Sequence, residues 1–452
     1  MIARIHSVVA GLLGPAAAGD LRSRVARGAA GTLAVRIAAM AVSLVCTMLL
    51  TRLLGDGGYG AFINAVSWLG LLSIPAVLGC DRLLVREVAA NAARGSWGAL
   101  RGVMRWSNIA VITAALAVAL LAALVVGLLL AAGRWDREML LTLLVALVAL
   151  PFSALSALRQ SALRGLHHVV MASMPDQLIP PLLLAGMLGV AWVAARGALT
   201  APTVVAMNVV SIALAFGVGA LLLHWKLPAQ ARTAVAEYHG RVWRAAALPM
   251  MLIGGMYVTS NRADTILLGL LTDKQSVGLY GVAARCAEFV VFGLVALNTV
   301  LAPVFAQLYA TRDVARLQRV LTVGARVATG LCLPVALALI FAGKWILPLL
   351  FGPEFASAAP ALALLATAQL VNAACGSQGM LLMMTGYERD AAVGMGISAF
   401  LNVVLNCIFI PLWGVLGAAL ATAFTTVAWN IVLLGFVRRR LRLHTTVFGA
   451  LI

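Results

Sequence analysis

Charge is scarce in this 452-residue chain. Asp, Glu, Lys and Arg together make up 11% of it, where a soluble globular domain carries about a quarter. With 63% hydrophobic residues, so few ions cannot cover a water-facing surface, and an ordinary soluble enzyme is excluded. Carboxylates are the scarcer sign, 15 against 33 basic residues, so the clustered acids that acid–base catalysis relies on are few. The six histidines all fall in tails and loops, which leaves none for a proton relay inside a membrane. Cys46, Cys80, Cys286, Cys332, Cys375 and Cys407 stand apart in apolar runs with no CxxC or Cys/His spacing. Neither a disulfide framework nor a metal site is supported, and the cysteines read as small core residues.

What the chain has is hydrophobic length. Windows of about 20 mostly apolar residues, enough to cross a bilayer, fall near 31–51, 58–80, 106–131, 139–158, 174–194, 201–223, 246–271, 277–303, 322–342, 360–385, 391–411 and 414–437. The expected fold class is an all-α polytopic membrane protein with about twelve transmembrane helices. Pro175, Pro180 and Pro181 predict a kinked or delayed fifth span, because each proline frees a carbonyl that neighbours must satisfy.

The formal charge of +18 would suggest nucleic acid in a soluble protein, but the positions of the charges give it another meaning. With the N-terminus placed in the cytoplasm, the cytoplasmic loops and tails hold most of the arginines. The other side keeps only Arg52, Arg134, Arg137, Arg196, Lys274 and Lys344. This is the positive-inside pattern, so both termini are expected to be cytoplasmic and no nucleic-acid partner is implied. The short apolar run before Leu13 is followed by basic residues, and 1–30 reads as an interfacial or loose cytoplasmic segment, not a signal peptide.

The chain also repeats itself. LLGDGGYGAF (53–62) after the first span is answered by LLTDKQSVGLYGV (270–282) after the seventh, with Tyr59 and Tyr280 221 residues apart. The same offset relates Gly165 to Gly386, and GAL at 197–199 faces GAA at 417–419 at an offset of 220. Three matches in register predict two six-helix lobes of the same orientation, a parallel repeat with a cavity between the lobes. The expected layout is an N-terminal segment 1–30, an N-lobe 31–223, an inter-lobe loop 224–245, a C-lobe 246–437 and a basic tail 438–452.

Three segments resemble a known superfamily. TRLLGDGGYGAFINAVSWLGLLSIPAVLGCDRLLVREVA (51–89), NRADTILLGLLTDKQSVGLYGVAARCAEFVVFGLVALNTVLAPVFAQLY (261–309) and TGYERDAAVGMGISAFLNVVLNCIFIPLWGVLGAALATAFT (385–425) are similar to the polysaccharide flippases of the MOP (multidrug, oligosaccharidyl-lipid, polysaccharide) superfamily. The twelve-span layout is closer to the Wzx-type O-antigen and exopolysaccharide flippases than to the fourteen-span MurJ peptidoglycan-precursor flippases. The resemblance implies the MOP/MATE-like fold in a bacterial inner membrane. It also implies that an undecaprenyl-diphosphate-linked glycan moves from the cytoplasmic to the periplasmic leaflet during surface polysaccharide biosynthesis. It implies membrane lipids, a polysaccharide polymerase and a chain-length regulator as partners. No cofactor is expected beyond coupling to a proton or sodium gradient, and the protein is expected to be a monomer.

The membrane-embedded ions carry the functional reading. An ionisable side chain near the bilayer centre costs about 2.5–3.5 kcal/mol on insertion scales, so such groups face a cavity or one another. They are Arg36, Arg262, Asp264, Arg285 and Glu288. Arg36, Arg262 and Arg285 are expected to give a cavity a positive potential, because guanidinium binds phosphate oxygens bidentately and stays charged. Arg82, with Arg86 one turn on, is expected at the cytoplasmic mouth. Asp264 and Glu288 are candidates either for the coupling ion or for structural pairing, Glu288 with Arg285 at i, i+3 and Asp264 with Arg36. Arg262 points about 160° from Asp264 at 100° per residue, so these two do not pair. Ser43 and Thr47 share a helical stripe with Arg36. Asn261 on the seventh span and Asn402 and Asn406 on the eleventh extend the polar lining, with helix–helix glue as the alternative for the last two. A membrane polymerase or ligase would need a larger external loop. A MATE-type drug and cation antiporter would need an acidic or aromatic cavity, and a MurJ-like role is the third alternative.

Overall fold

The structure is a computed structural model that describes residues 19–133, 136–194 and 199–449. Residues 1–18 of the N-terminal segment, Arg134, Arg196, two residues of the GAL match and 450–452 lie outside the described residues. Among those described, all regular secondary structure is helical. Among the described residues nine helices are long and apolar enough to cross a membrane, and one bent pair forms a further crossing. The first of the nine, α1 (Gly19–Val77), turns back at Gly55, whose φ of 66° glycine adopts without strain. The last, which ends at Leu441, turns at Gly414 with φ 54°. Counting each as two spans gives the twelve crossings expected from hydropathy.

After α1 come α2 (Cys80–Arg94) and α3 (Trp97–Ala132), the third span. The fourth is the bent pair α4 (Arg137–Leu147) and α5 (Ala149–Gly165), angled by 43°. Hydropathy predicts one straight helix there. Pro151, which cannot donate to the Leu147 carbonyl, is the local cause of the bend. The fifth span divides at Leu178 into α6 (Val169–Gln177) and α7 (Ile179–Ala194), between Pro175 and the Pro180–Pro181 pair, so the prolines kink it as anticipated. The sixth is α8 (Ala201–Lys226), followed by the short α9 (Ala229–Thr233). Spans seven to nine are α10 (Gly240–Leu271), α11 (Lys274–Ala310) and α12 (Val314–Phe351).

The tenth span departs from expectation. In place of one helix over 360–385, α13 (Ala359–Cys375) stops at Gly376, φ 80°, and α14 (Gln378–Met384) is a separate short helix. The tail accounts for the break. The Thr445 carbonyl sits where a Cβ on residue 376 would lie, 2.4 Å away. Val447 N–H donates to Ala374 O at 3.0 Å, and Gln318 exchanges hydrogen bonds with both backbone groups of His444. Spans eleven and twelve are the two arms of α15 (Glu388–Leu441).

Large apolar side chains such as Leu120, Val193, Phe341 and Phe400 are exposed, as expected for helices whose solvent is lipid. One core cluster joins spans two to four on the arginine-rich face, and it includes Trp243 and Ala247 from the start of α10. Residues 234–239, within the stretch read as an inter-lobe loop, lie along α3. Glu237 N–H donates to Gly98 O at 3.0 Å, and a Cβ on Gly102 would meet Glu237 O at 1.7 Å. A second cluster, on the arginine-poor face, contains residues of both halves of the chain, among them Tyr59, Phe62, Leu268, Val277, Tyr280, Phe351 and Phe355.

Candidate functional site

The repeated turns after spans one and seven pack on each other. A Cβ on Gly60 would lie 1.7 Å from Lys274 O, and one on Gly278 would lie 2.1 Å from Asp56 O. Only glycine permits this approach. Beside it the Lys274 ammonium bridges Glu138 at 2.6 Å and Asp136 at 3.1 Å. Arg52 donates to the carbonyls of Leu349 at 2.8 Å and Leu350 at 3.2 Å. Burial pulls the Asp136 carboxyl upward, but the Met139 amide and the Lys274 ammonium outweigh it and hold the group below its ordinary value. The halves are therefore sealed together on the arginine-poor face.

Deeper between the halves stand Arg285 and Arg262, two of the arginines singled out from sequence. Arg285 on α11 pairs with Glu288 at 2.6 Å and also donates to Ser43 Oγ on α1, so it ties span eight to span one. Glu288 keeps 60% of its side chain exposed although it lies midway along a span. Arg262 is half-buried against span two, where a Cβ on Gly70 would lie 3.5 Å from its Nε, and it is within electrostatic reach of both Glu288 and Arg285. Arg36 is half-buried two turns below Ser43 and within reach of Arg164. Among the described residues neither Arg36 nor Arg262 has a carboxylate within 4.0 Å. Toward the arginine-rich face, a cavity of about 200 Å³ is lined by Asp81, Arg82, Ser73, Met250, Gly254 and Tyr257, with Arg82 exposed at its edge.

Asp264 is elsewhere. It is 6% exposed and faces the interior of the second half, not Arg36. Its Oδ2 accepts hydrogen bonds from Tyr280 Oη and Thr422 Oγ1, each at 2.7 Å, and its Oδ1 accepts one from Asn406 Nδ2 at 2.6 Å. The anticipated Arg36–Asp264 pair is not formed, because spans seven, eight, eleven and twelve enclose the carboxylate. Asn402 and Asn406 are buried in this cluster and do not line the cavity between the halves. Thr47 is also buried, donating to Ser43 O of its own helix at 2.8 Å. Asn261 is exposed and donates to Tyr257 O at 2.7 Å. Sequence reasoning missed Tyr280 and Thr422 as partners of Asp264. The signal available was their place in the repeated Tyr motif and in the GAALAT run, 417–422, that continues the GAA match.

The family model described as Polysaccharide biosynthesis protein matches residues 25–309, well over half of the chain. The chain belongs to the polysaccharide biosynthesis protein family. A second family model, MatE, matches residues 249–408. The probable flippase AglR of Haloferax volcanii is 29% identical over 172 residues, 37% of this chain and 36% of that protein. The match thus spans about a third of the relative's length. Two solved structures share the fold at 14% identity. An inward-facing multidrug resistance MATE family transporter of the MOP superfamily has a TM-score of 0.70 and covers 91% of this chain and 98% of its own. The lipid II flippase MurJ in an inward closed conformation has a TM-score of 0.69 over 89% and 87%. The fold of this polysaccharide biosynthesis family member is therefore that of the MOP superfamily, in a multi-pass membrane protein.

In this family member the two carboxylates have opposite surroundings. Glu288 is exposed and compensated by a guanidinium, whereas Asp264 is buried with neutral donors alone among the described residues. Arg262 and Asp264, two residues apart on α10, put unmatched charges of opposite sign on opposite faces of one helix.

Proposed function

We propose that this protein is a flippase that moves a diphosphate-linked lipid oligosaccharide across the bilayer by alternating access, with the arginine-rich face cytoplasmic. The observation that carries this reading is Arg262, half-buried against span two where the halves meet, together with Arg36, half-buried on span one two turns from Ser43, both without a carboxylate partner among the described residues. Two uncompensated guanidiniums in a low-dielectric cleft attract a phosphate group strongly, and they oppose the organic cations that a drug antiporter would carry. Arg285 is committed to Glu288 and Ser43, so its role is to shape the cleft more than to hold the head group. The polyprenyl chain stays in lipid at the gap between the halves while the head group enters. In a flippase-null strain, Arg36→Ala and Arg262→Ala at equal protein level should each lose surface polysaccharide, and full restoration by both would refute the cationic-cleft reading.

We further propose that Asp264 holds the coupling ion. A buried carboxylate with only neutral hydrogen-bond donors needs a positive charge or a proton. The surroundings favour a small hard cation, for Asn406, whose amide touches the carboxylate, keeps its Oδ1 buried without a donor among the described residues, as does Asn402 one turn before it, and Thr422 Oγ1 touches the carboxylate. An all-oxygen set of this kind suits sodium. Transport in proteoliposomes should depend on a sodium gradient, and indifference to sodium would remove Asp264 from this role.

A further inference from the structure

The same short stretch of α11 takes part in two structures at once. Its first turn makes the seal on the arginine-poor face, through Lys274 with Asp136 and Glu138 and through the close approach of Gly278 to Asp56 and Gly60. Two residues after Gly278, Tyr280 is 3% exposed within the core cluster that joins the halves. Its hydroxyl leaves that cluster to donate to Asp264 Oδ2 at 2.7 Å, and it lies 2.9 Å from Thr422 Oγ1. From Lys274 to Tyr280 is about 9 Å along a helix, without a break.

We infer that Tyr280 is the positioning residue that links occupancy of Asp264 to the seal between the halves. The inference rests on the reading of Asp264 as a cation site. The Tyr280 hydroxyl has one proton, and in this structure it is given to the carboxylate. That bond ties the start of α11 to α10, and the contact of the same hydroxyl with Thr422 Oγ1 ties it to span twelve, in the position where Gly278 meets Asp56 and Gly60. A cation on the same carboxylate oxygen competes for the lone pairs that Tyr280 uses and recruits Thr422 Oγ1 away from its contact with the phenol. Released from Asp264, Tyr280 and the rigid turn before it shift together. The seam tolerates little of this, since its backbones already approach too closely for any Cβ, and packed contacts of this kind switch between discrete arrangements. Cation binding therefore loosens the seal and favours opening toward the arginine-poor face.

The repeat supplies its own control. Tyr59, the counterpart of Tyr280, is buried in the same seam and stacks near Phe62 and Phe355, but it makes no hydrogen bond to the Asp264 cluster. Spin labels at Thr200→Cys and Ser357→Cys, both exposed on the arginine-poor face, would report the separation of the halves by pulsed electron resonance. Cys375 and Cys407 would be replaced by serine, and sodium or potassium would be added at fixed pH. Sodium binding would be measured separately by calorimetry on the same full-length variants.

In the parent protein, sodium but not potassium should lengthen the distance. Tyr280→Phe should still bind sodium yet lose the sodium-driven lengthening, while Tyr59→Phe should keep it. A full response in Tyr280→Phe would overturn the inference and leave the cation site standing. Equal loss in both variants would also overturn it, because general loosening of the seam would then explain the effect. If the parent binds no sodium and Asp264→Asn changes nothing, the cation site itself fails, and the inference with it.

Discussion

The approach of Gly60 to the start of α11 gives a sharp test of the seal. An alanine Cβ at position 60 would stand 1.7 Å from Lys274 O and 2.9 Å from Gly278 N, where real Cβ contacts stay beyond 3.0 Å. The obstacle is backbone on a helix and cannot swing aside as a side chain would. Relief requires the two segments to separate by at least about 1.3 Å, which lengthens the Lys274 bridges as well. Overpacking of this size costs about 1–3 kcal/mol, and all of it falls on the sealed state because the contact exists only there. The equilibrium between sealed and open forms should therefore move by roughly 5- to 150-fold toward the open form. The label pair at residues 200 and 357 would show it as a longer distance without sodium, and transport should fall because the return to the sealed state is penalised. Gly57→Ala is the control, since its Cβ would meet Lys274 and Gln275 side-chain atoms at 3.5–3.6 Å, an ordinary contact. If Gly60→Ala matched the parent in both distance and transport, the seam could not be the closed gate proposed for it.

Lys274→Ala should act in the same direction but more weakly, because its partners are partly exposed and such bridges contribute about 0.2–1 kcal/mol. A change of about 5-fold in the ratio of sealed to open populations, read from the label-distance distribution, is the most it should give. The pH dependence of this bridge has a definite sign. The Asp136 carboxyl is held below its ordinary value, so its contribution is fully present above that ordinary value of 3.8 and is lost only as pH falls through the lower folded value. The distance distribution should thus be unchanged by Asp136 between about pH 5 and 8, and a transition there that vanished in Asp136→Asn would contradict the assignment. Gly102→Ala should dislodge residues 234–239 from α3, since its Cβ would collide with Glu237 O at 1.7 Å. A loss of about 1–3 kcal/mol should appear as a lowered unfolding midpoint in detergent. Asp264→Asn preserves shape while removing an uncompensated buried charge, so its midpoint in sodium-free buffer should be equal or higher, and a clear fall would mean that the carboxylate is already neutralised by a partner.

Hydropathy made the twelve crossings legible because lipid imposes a length on every helix. It could not register the bend at Val148 or the stop at Gly376, which depend on a missing proline donor and on a tail that folds back from seventy residues away. Helical periodicity put Asn402 and Asn406 on one face correctly, but it says nothing of what a face meets; Asn406 meets Asp264, and Asn402 is buried beside it on the same helix and not in an open cleft. The i, i+3 spacing of Arg285 and Glu288 did suffice, since both partners lie on one helix. Tyr280 and Thr422 escaped because tertiary packing alone joins them to the carboxylate.

The charges that matter most are two residues apart. Arg262 faces span two across the cleft, and Asp264 faces the interior of the second half. Neither is compensated by an ion pair among the described residues, so α10 carries an unmet positive charge on one side and an unmet negative charge on the other. If each binds a counter-ion, an anionic head group beside Arg262 and a cation beside Asp264 neutralise the same helix from both faces. The two occupancies are then linked by electrostatics before any movement occurs. Each bound ion cancels a charge that repels the other, because Asp264 repels an anion beside Arg262 and Arg262 repels a cation beside Asp264. Filling Asp264 with a cation leaves Arg262 a net positive helix segment and so strengthens its hold on an anion, and an anion in the cleft does the same for the cation. By reciprocity of linkage the two effects are equal, and sodium should raise the apparent affinity for the diphosphate head group by the same factor that the head group raises affinity for sodium.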